Sequence, residues 1–190
     1  MSDPLDGRRV ERRTIYEGHV LDLAIDTVEF QDGARREREI VVHPGAVAIV
    51  ALDGDELVFV RQYRAPAETV LLEIPAGTRD RLDDGSVEAP EVTAVRELAE
   101  ETGLRAATWR HLARFWTAPG FATEAMDLYL ATDLEADEEA ETPEEEQIEL
   151  ERVPWQRALA LVESGEIADA KSIVGVLWLA RLRELAEARS

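Results

Sequence analysis

Three glutamates stand close together in the segment "RELAEETGL", residues 96–104: Glu97, Glu100 and Glu101. At about 100° per residue, their side chains fall within one arc of a helix, which predicts a single face that carries three carboxylates. Like charges at this spacing destabilise an isolated helix, and the helix dipole disfavours anions near its C-terminus. A hard divalent cation such as Mg²⁺ removes both penalties and prefers carboxylate oxygens. The spacing favours a metal-binding helix, although an ordinary solvated acidic face has the same composition.

The helix that carries these glutamates is predicted to run from about Glu88 to Thr102. Pro90 suits its first turn, and Gly103 suits a left-handed end. The opposite side is predicted to pack on the core, and its apolar residues are Val92, Val95, Leu98 and Ala99.

Short apolar segments on both sides of this helix predict β-strands. Residues 45–52, 56–64 and 126–132 have strand-like composition and are bounded by turn-forming or polar residues. Partly alternating segments from Tyr16 to Phe30 and over residues 35–43 predict an antiparallel hairpin ahead of them. The mixture of strands and helices indicates an α/β (α+β) fold.

The ends of the chain differ in character. Residues 1–13 are polar and are expected to be loose. Toward the C-terminus, Pro154 is predicted to open one helix that ends near Gly165, and Asp169 is predicted to cap a last helix. Residues 133–147, between the last strands, are dominated by acids.

The composition restricts the partners and the chemistry. The 190 residues favour one domain, and the absence of cysteine leaves oxygen atoms and three histidines as metal ligands. A formal net charge of −20 argues against nucleic acid or an anionic membrane as a partner. We expect a cytoplasmic protein, because no signal-peptide-like apolar run opens the sequence and no apolar run reaches about 18 residues.

The glutamate segment also resembles a known sequence pattern. "E-x7-R-E-L-x-E-E-x-G-L", residues 88–104, resembles the Nudix box, G-x5-E-x7-R-E-U-x-E-E-x-G-U, where U is a bulky aliphatic residue. The segments "EIPAG", "TAPGF-x-x-E" and "DAKSIVGVLWL" resemble the ADP-ribose pyrophosphatase branch, which is marked by a proline at the position of Pro119. One departure is that ten residues, rather than five, separate Gly77 from Glu88.

The resemblance implies a fold and an assembly. The expected Nudix fold has a mixed β-sheet sandwiched between helices, with the N-terminal antiparallel β-hairpin or sheet ahead of it. Residues 1–45 are expected to form a dimerisation segment that swaps across a homodimer, and residues 46–190 the hydrolase domain.

The resemblance also implies the metal and catalytic residues. Glu97 and Glu101 match direct ligands of Mg²⁺, with Mn²⁺ also possible, and Glu100 matches a carboxylate shared between ions. The backbone carbonyl of Ala76 matches a further ligand. Arg96 matches an arginine that orients a box glutamate. The acidic loop matches the source of the general base: Glu144 fits the base, Glu145 is a near competitor, and Glu146 fits an acid close to the metal.

For the substrate, the resemblance implies a nucleoside-diphosphate sugar. Arg64 matches a phosphate-gripping arginine, with Arg61 nearby, and Glu124, Pro119 and Gly120 match the substrate loop. The leading interpretation is hydrolysis of ADP-ribose to AMP and ribose 5-phosphate. GDP-mannose and ADP-glucose stay open as substrates. A non-catalytic nucleotide-binding regulator is a different class, and the intact glutamates argue against it.

Overall fold

The computed structural model describes residues 6–140 and 147–188. The chain divides into two compact units, and the first consists of Met1–Gly45 and Trp116–Ala125. The second unit consists of Ala46–Phe115 and Met126–Ser190. In the part of the chain that the structure describes, no helix combines the length and the apolar character needed to cross a membrane.

The first unit contains a three-stranded antiparallel sheet in the order β1-β2-β3. Its strands are β1 Gly7–Glu17, β2 Asp22–Phe30 and β3 Arg35–Val42. The predicted hairpin corresponds to β2 and β3. The expectation that residues 1–13 are loose is wrong for the described part, since β1 begins at Gly7.

Charge pairs attach β1 to its neighbour. Arg12 Nε and Nη2 donate to the two oxygens of Asp26 at 2.7 and 2.6 Å, and Arg9 lies 3.6 Å from the same carboxylate. Asp26 is only 6% exposed. The strand is therefore held by ion pairs and backbone hydrogen bonds, which an apolar pattern cannot reveal.

The second unit is built on a seven-stranded mixed sheet in the order β10-β5-β4-β9-β8, with β6 paired to β5 and β7 paired to β4. β4 is parallel to β9 and antiparallel to β5 and β7. The strands are β4 Ala46–Asp53, β5 Glu56–Arg64, β6 Thr69–Glu73, β7 Ala76–Thr78, β8 Leu104–Trp116, β9 Ala125–Ala136 and β10 Glu149–Pro154.

Helices cover both faces of this sheet: α1 Pro90–Thr102 on one, and α2 Trp155–Ser164 with α3 Ala170–Glu187 on the other. β4 is buried along nearly its whole length, and its side chains alternate between the two faces. The residues that pack together on the α1 face include Val47, Ile49, Ala51, Ala94 and Leu98. Those on the other face include Ala48, Val50, Leu161, Val176 and Leu179. The predicted sheet between helices is confirmed.

The helix ends follow the sequence signals. α1 ends at Gly103, whose φ of 64° is left-handed and whose N–H donates to Ala99 O at 2.8 Å. Gly165 ends α2 with a φ of 81°. Asp169 caps α3, because its side chain accepts a hydrogen bond from Ser172 N.

The buried face of α1 differs from the predicted one. Val92 and Val95 are 53% and 52% exposed, so their assignment to the core was wrong. The buried residues of the helix are Thr93, Ala94, Leu98, Glu101 and Thr102. The helix is turned so that Glu101 faces β7, where a backbone N–H binds its carboxylate.

Candidate active site

The glutamates of α1 meet the short strand β7. Glu101 is 8% exposed, and its Oε2 accepts a hydrogen bond from Ala76 N at 2.9 Å. A β-carbon built on Gly77 would lie 1.8 Å from Glu97 Cδ. The absence of a side chain at position 77 therefore leaves the space that the Glu97 carboxylate occupies. The structure thus brings Glu97 and Glu101, two of the predicted metal-binding residues, next to the strand that contains Ala76.

Arg96 joins the remaining carboxylates. Its Nη1 donates to Glu97 Oε1 and to Glu100 Oε2, each at 2.8 Å. Its Nη2 donates to Glu88 Oε2 at 3.0 Å and to Thr78 O at 3.3 Å. Partial burial acts to lower the pKa of Arg96, but the hydrogen bond to Glu88 and the charge of Glu97 outweigh it, so the pKa is raised. Arg96 is thus a permanent cation among three glutamates.

Glu88 belongs to the same cluster through its contact with Arg96, and the sequence analysis assigned it no role. In the structure its Oε2 also accepts from Thr93 Oγ1 at 2.8 Å. Partial burial acts to raise the pKa of Glu88, but its hydrogen bonds to Arg96 and Thr93 prevail, and the pKa is lowered. The position of Glu88 in the box pattern was the signal that could have identified it.

The ten residues between Gly77 and Glu88 close on themselves. Arg81 forms an isolated bridge with Val87, and Leu82 N donates to Ser86 O at 2.9 Å. At the base of this turn, Glu88 N donates to Asp80 O at 2.9 Å. The extra residues form a local turn, and Glu88 still reaches Arg96.

The donor chemistry of this cluster fits a hard divalent cation, because Glu97, Glu100 and Glu101 offer only carboxylate oxygens. Gly77 leaves room for one of those carboxylates beside β7. Among the described residues, however, no three His, Asp or Glu side chains are arranged as they stand to hold a metal ion. The guanidinium of Arg96 holds Glu97 and Glu100 instead.

The two predicted phosphate-binding arginines have different surroundings. Arg64 donates from Nε and Nη2 to the two oxygens of Glu73, at 3.0 and 2.8 Å. Arg61, three residues earlier on β5, lines a cavity of about 500 Å³ together with Arg157 and Leu161 of α2. Because side chains alternate along a strand, residues 61 and 64 face opposite sides of the sheet, and the different neighbours of the two arginines agree with this.

The remaining predicted site residues fall elsewhere. Pro119, Gly120 and Glu124 belong to the first unit. Glu124 accepts from Thr117 Oγ1 at 2.5 Å, and its Oε1 lies 3.8 Å from His43 Nε2. Pro119 and Gly120 lie in a turn in which Phe121 N donates to Ala118 O. Glu144, Glu145 and Glu146 lie outside the described residues.

Comparisons with known proteins identify the family. The NUDIX domain model matches residues 42–174. The chain is 41% identical to an ADP-ribose pyrophosphatase of Bacillus subtilis, over 97% of this chain and 98% of that protein. It is 40% identical to an ADP-ribose pyrophosphatase of Mycobacterium tuberculosis, with 90% and 82% covered. A methanol dehydrogenase activator of Bacillus methanolicus is 38% identical, with 94% and 95% covered.

Solved structures also resemble the model. The crystal structure of an ADP compounds hydrolase has a TM-score of 0.78 and covers 100% of this chain and 99% of its own, at 24% identity. That identity supports the fold alone. The family match covers more than half of the chain, and the relatives extend it to nearly the full length. The chain belongs to the Nudix family.

Proposed function

We propose that the protein is an ADP-ribose diphosphatase that hydrolyses the pyrophosphate bond of ADP-ribose to AMP and ribose 5-phosphate. The observation that carries this proposal is the packing of Glu97 against Gly77, with Glu101 bound to Ala76 N on the same strand. The near full-length similarity to two ADP-ribose pyrophosphatases supports the choice of substrate.

The metal-binding residues in this proposal are Glu97, Glu100 and Glu101, together with the carbonyl of Ala76. A Mg²⁺ or Mn²⁺ ion held there would make water a nucleophile at neutral pH and offset charge on the phosphoryl oxygens. Arg96 orients the carboxylates, because its guanidinium donates to both Glu97 and Glu100. Its hydrogen bonds also tie both carboxylates to Glu88.

Substrate binding needs cations in an otherwise acidic protein. Arg64 is the proposed contact for the diphosphate, with Arg61 nearby on the same strand, and Glu124, Pro119 and Gly120 are proposed for the substrate loop. Glu144 is proposed to accept the proton of the attacking water. Glu146 is proposed to lie near the metal.

We also propose a homodimer in which the N-terminal segment crosses to the partner. Large apolar side chains that the first unit leaves exposed support this assembly. They are Ile15, Tyr16, Val20, Leu21 and Leu23, between 37% and 60% exposed. A second copy is a surface on which they can pack.

Two other functions stay in competition. GDP-mannose or ADP-glucose could be the preferred substrate, since the residues that contact the sugar are not identified by the geometry. A regulatory role is favoured by the 38% identity to a methanol dehydrogenase activator. The complete set of box glutamates around Arg96 supports catalysis, because a purely binding domain has no need of it.

A substrate panel tests the proposal. Initial rates with Mg²⁺ are measured for ADP-ribose, ADP-glucose, GDP-mannose, NADH and dinucleoside polyphosphates. We expect the highest kcat/KM for ADP-ribose. A higher kcat/KM for GDP-mannose would reassign the substrate, and no turnover of any member would favour the regulatory role.

A further inference from the structure

A buried carboxylate, Glu73, holds the arginine proposed to contact phosphate. Glu73 is 1% exposed and ends β6, three residues before Ala76. Both of its oxygens accept from Arg64, and Oε2 also accepts from Lys171 Nζ. Burial acts to raise the pKa of Glu73, but hydrogen bonds from Arg64 and the charge of Lys171 prevail, so its pKa is lowered. The carboxylate is therefore ionised between two cations.

Lys171 lies in the first turn of α3 and has a second partner in that turn. Its Nζ donates to Asp169 Oδ1 at 2.9 Å, and the same oxygen caps α3 by accepting from Ser172 N at 3.1 Å. Ser172 Oγ in turn accepts from Ile74 N at 2.8 Å. The start of α3 is thus fixed to the end of β6, and Lys171 is held in place by Asp169.

The cluster pairs two cations with two carboxylates. Asp169 balances the charge of Lys171, and Glu73 balances that of Arg64. Lys171 therefore adds no net charge for a ligand, and what it contributes is a second contact that fixes the Glu73 carboxylate to which Arg64 is bound. Within the described residues the pairs are Arg64–Glu73, Lys171–Glu73 and Lys171–Asp169.

The hydrogen-bond donors of Arg64 agree with this reading. A guanidinium has five N–H donors. Arg64 donates one N–H from Nε and one from Nη2 to the carboxylate of Glu73. In the described part of the chain, Nη1 makes no hydrogen bond, and the side chain is 37% exposed. Hydrogen bonding to Glu73 raises the pKa of Arg64 most, and the charge of Glu101 adds to it, so Arg64 lies within electrostatic reach of the metal-binding residues.

We propose that Lys171 is a positioning residue for substrate binding: it holds Glu73, and through it orients Arg64 so that Nη1 faces the diphosphate. This inference rests on the proposed hydrolysis of a nucleoside-diphosphate sugar, but it concerns only how the chain receives a diphosphate.

The test compares Lys171→Met, which removes the charge at similar length, with Lys171→Arg, which restores it. The dissociation constant for ADP, a diphosphate probe, is measured by calorimetry with Mg²⁺, and KM and kcat are measured with ADP-ribose. We expect Lys171→Met to raise both the dissociation constant and KM about tenfold, the worth of one charge-assisted hydrogen bond, with a smaller change in kcat. Lys171→Arg should recover most of the affinity.

Two further variants separate positioning from loss of structure. Arg181→Met removes a solvent-exposed ion pair with Glu184 from the same helix and should leave KM unchanged. The double variant Glu73→Gln, Lys171→Met removes the buried charge of Glu73 together with its partner, so it should fold even if Lys171→Met does not. Its dissociation constant for ADP should be higher than that of wild type, because the carboxylate that holds Arg64 has been removed.

The outcomes distinguish this inference from the proposed function. If wild type binds ADP but does not hydrolyse ADP-ribose, the substrate proposal is wrong, and the dissociation constants still decide the role of Lys171. Equal ADP affinity in wild type and in a folded Lys171→Met or double variant overturns the positioning role. Absence of ADP binding by wild type that still hydrolyses ADP-ribose overturns the role of Lys171 in receiving a diphosphate and leaves the substrate proposal standing.

Discussion

The carboxylate of Glu97 occupies the space that a side chain at position 77 would need. A β-carbon on Gly77 would lie 1.8 Å from Glu97 Cδ and 2.0 Å from its Oε1. Gly77 is not one of the glycines with a positive φ. The preference for glycine at this position therefore comes from the approach of the carboxylate and not from the backbone conformation. Strand β7 and helix α1 are therefore fitted to each other at this point.

Gly77→Ala should displace Glu97 without unfolding the protein. The added methyl group meets the end of a flexible side chain, which can turn away. Displacing a metal-binding carboxylate should reduce kcat/KM by roughly 10–100-fold. Gly165→Ala is the control: its φ of 81° predicts a stability cost of about 1 kcal/mol with unchanged turnover. Equal activity of Gly77→Ala and wild type would argue against a functional Glu97.

Glu97→Gln and Glu101→Gln should weaken metal binding while keeping the fold. Each change removes a charged ligand but relieves repulsion among the glutamates of α1. We expect the metal-free Tm to be unchanged or slightly raised, and the rise in Tm on adding Mg²⁺ to be smaller than in wild type. Thermal denaturation with and without Mg²⁺ measures both. The control is Glu91→Gln, on the same helix but outside the cluster, which should show the same rise in Tm with Mg²⁺ as wild type. A smaller rise in this variant as well would indicate that Mg²⁺ acts by nonspecific charge screening.

The sequence predicted most of the fold because its signals are local. Proline and glycine marked the ends of α1, and Asp169 marked the start of α3. The apolar strands of the sheet were likewise evident from composition. Each of these features depends on a few neighbouring residues, which a single sequence displays.

Features that depend on distant partners were missed. Val92 and Val95 are exposed because Ala94 and Leu98 are the residues of α1 that pack on the sheet. Glu88 reaches Arg96 because the longer loop folds back on itself. β1 forms through Arg12 and Asp26, which are fourteen positions apart. No periodicity encodes such contacts.

Asp26 should contribute to stability in a pH-dependent manner. Its hydrogen bond to Arg12 lowers the pKa of Asp26 in the folded protein. The stabilisation is therefore fully present above the unfolded pKa of about 3.9 and is lost as pH falls from there through the lower pKa of the folded state. Asp26→Asn should lower the free energy of unfolding by about 1.5–3 kcal/mol at pH 7, the range for hydrogen bonds to charged groups, and by less at pH 3. Urea unfolding of wild type and variant at both pH values measures the difference.

The control for this pH effect is Glu29→Gln. Glu29 pairs with Arg8 and Arg35 at the surface of the same sheet, where solvent screens the charges. We expect a smaller loss of stability than for Asp26→Asn. A pH-independent difference between wild type and Asp26→Asn would show that the ion pair with Arg12 is not the source of the stabilisation.

The full-length protein should be a dimer in solution, and deletion of residues 1–40 should give monomers with weak ADP-ribose binding. The reason is that the exposed apolar side chains near Tyr16 and Val20 need a surface to cover them. Multi-angle light scattering at micromolar concentration measures the mass of both forms. A monomeric full-length protein would rule out the swapped assembly.

The general base is predicted to be Glu144. Glu144→Gln should lower kcat by roughly 10²–10⁴-fold, the usual contribution of a general base, with nearly unchanged Mg²⁺ affinity. Glu145→Gln and Glu146→Gln are the controls, measured by the same kinetics. If Glu145→Gln lost activity while Glu144→Gln kept it, the general base would be Glu145. Full activity of all three variants would show that the base lies outside this segment.

The central claim is that the carboxylates gathered around Gly77 and Arg96 support hydrolysis of ADP-ribose. The most direct test is the Mg²⁺-dependent formation of AMP and ribose 5-phosphate by wild type and by Glu101→Gln, followed by ³¹P NMR. The account predicts equimolar products from wild type with Mg²⁺, none without it, and a loss of several orders of magnitude in the variant. Absence of hydrolysis by wild type with Mg²⁺, or equal rates in the two proteins, would contradict it.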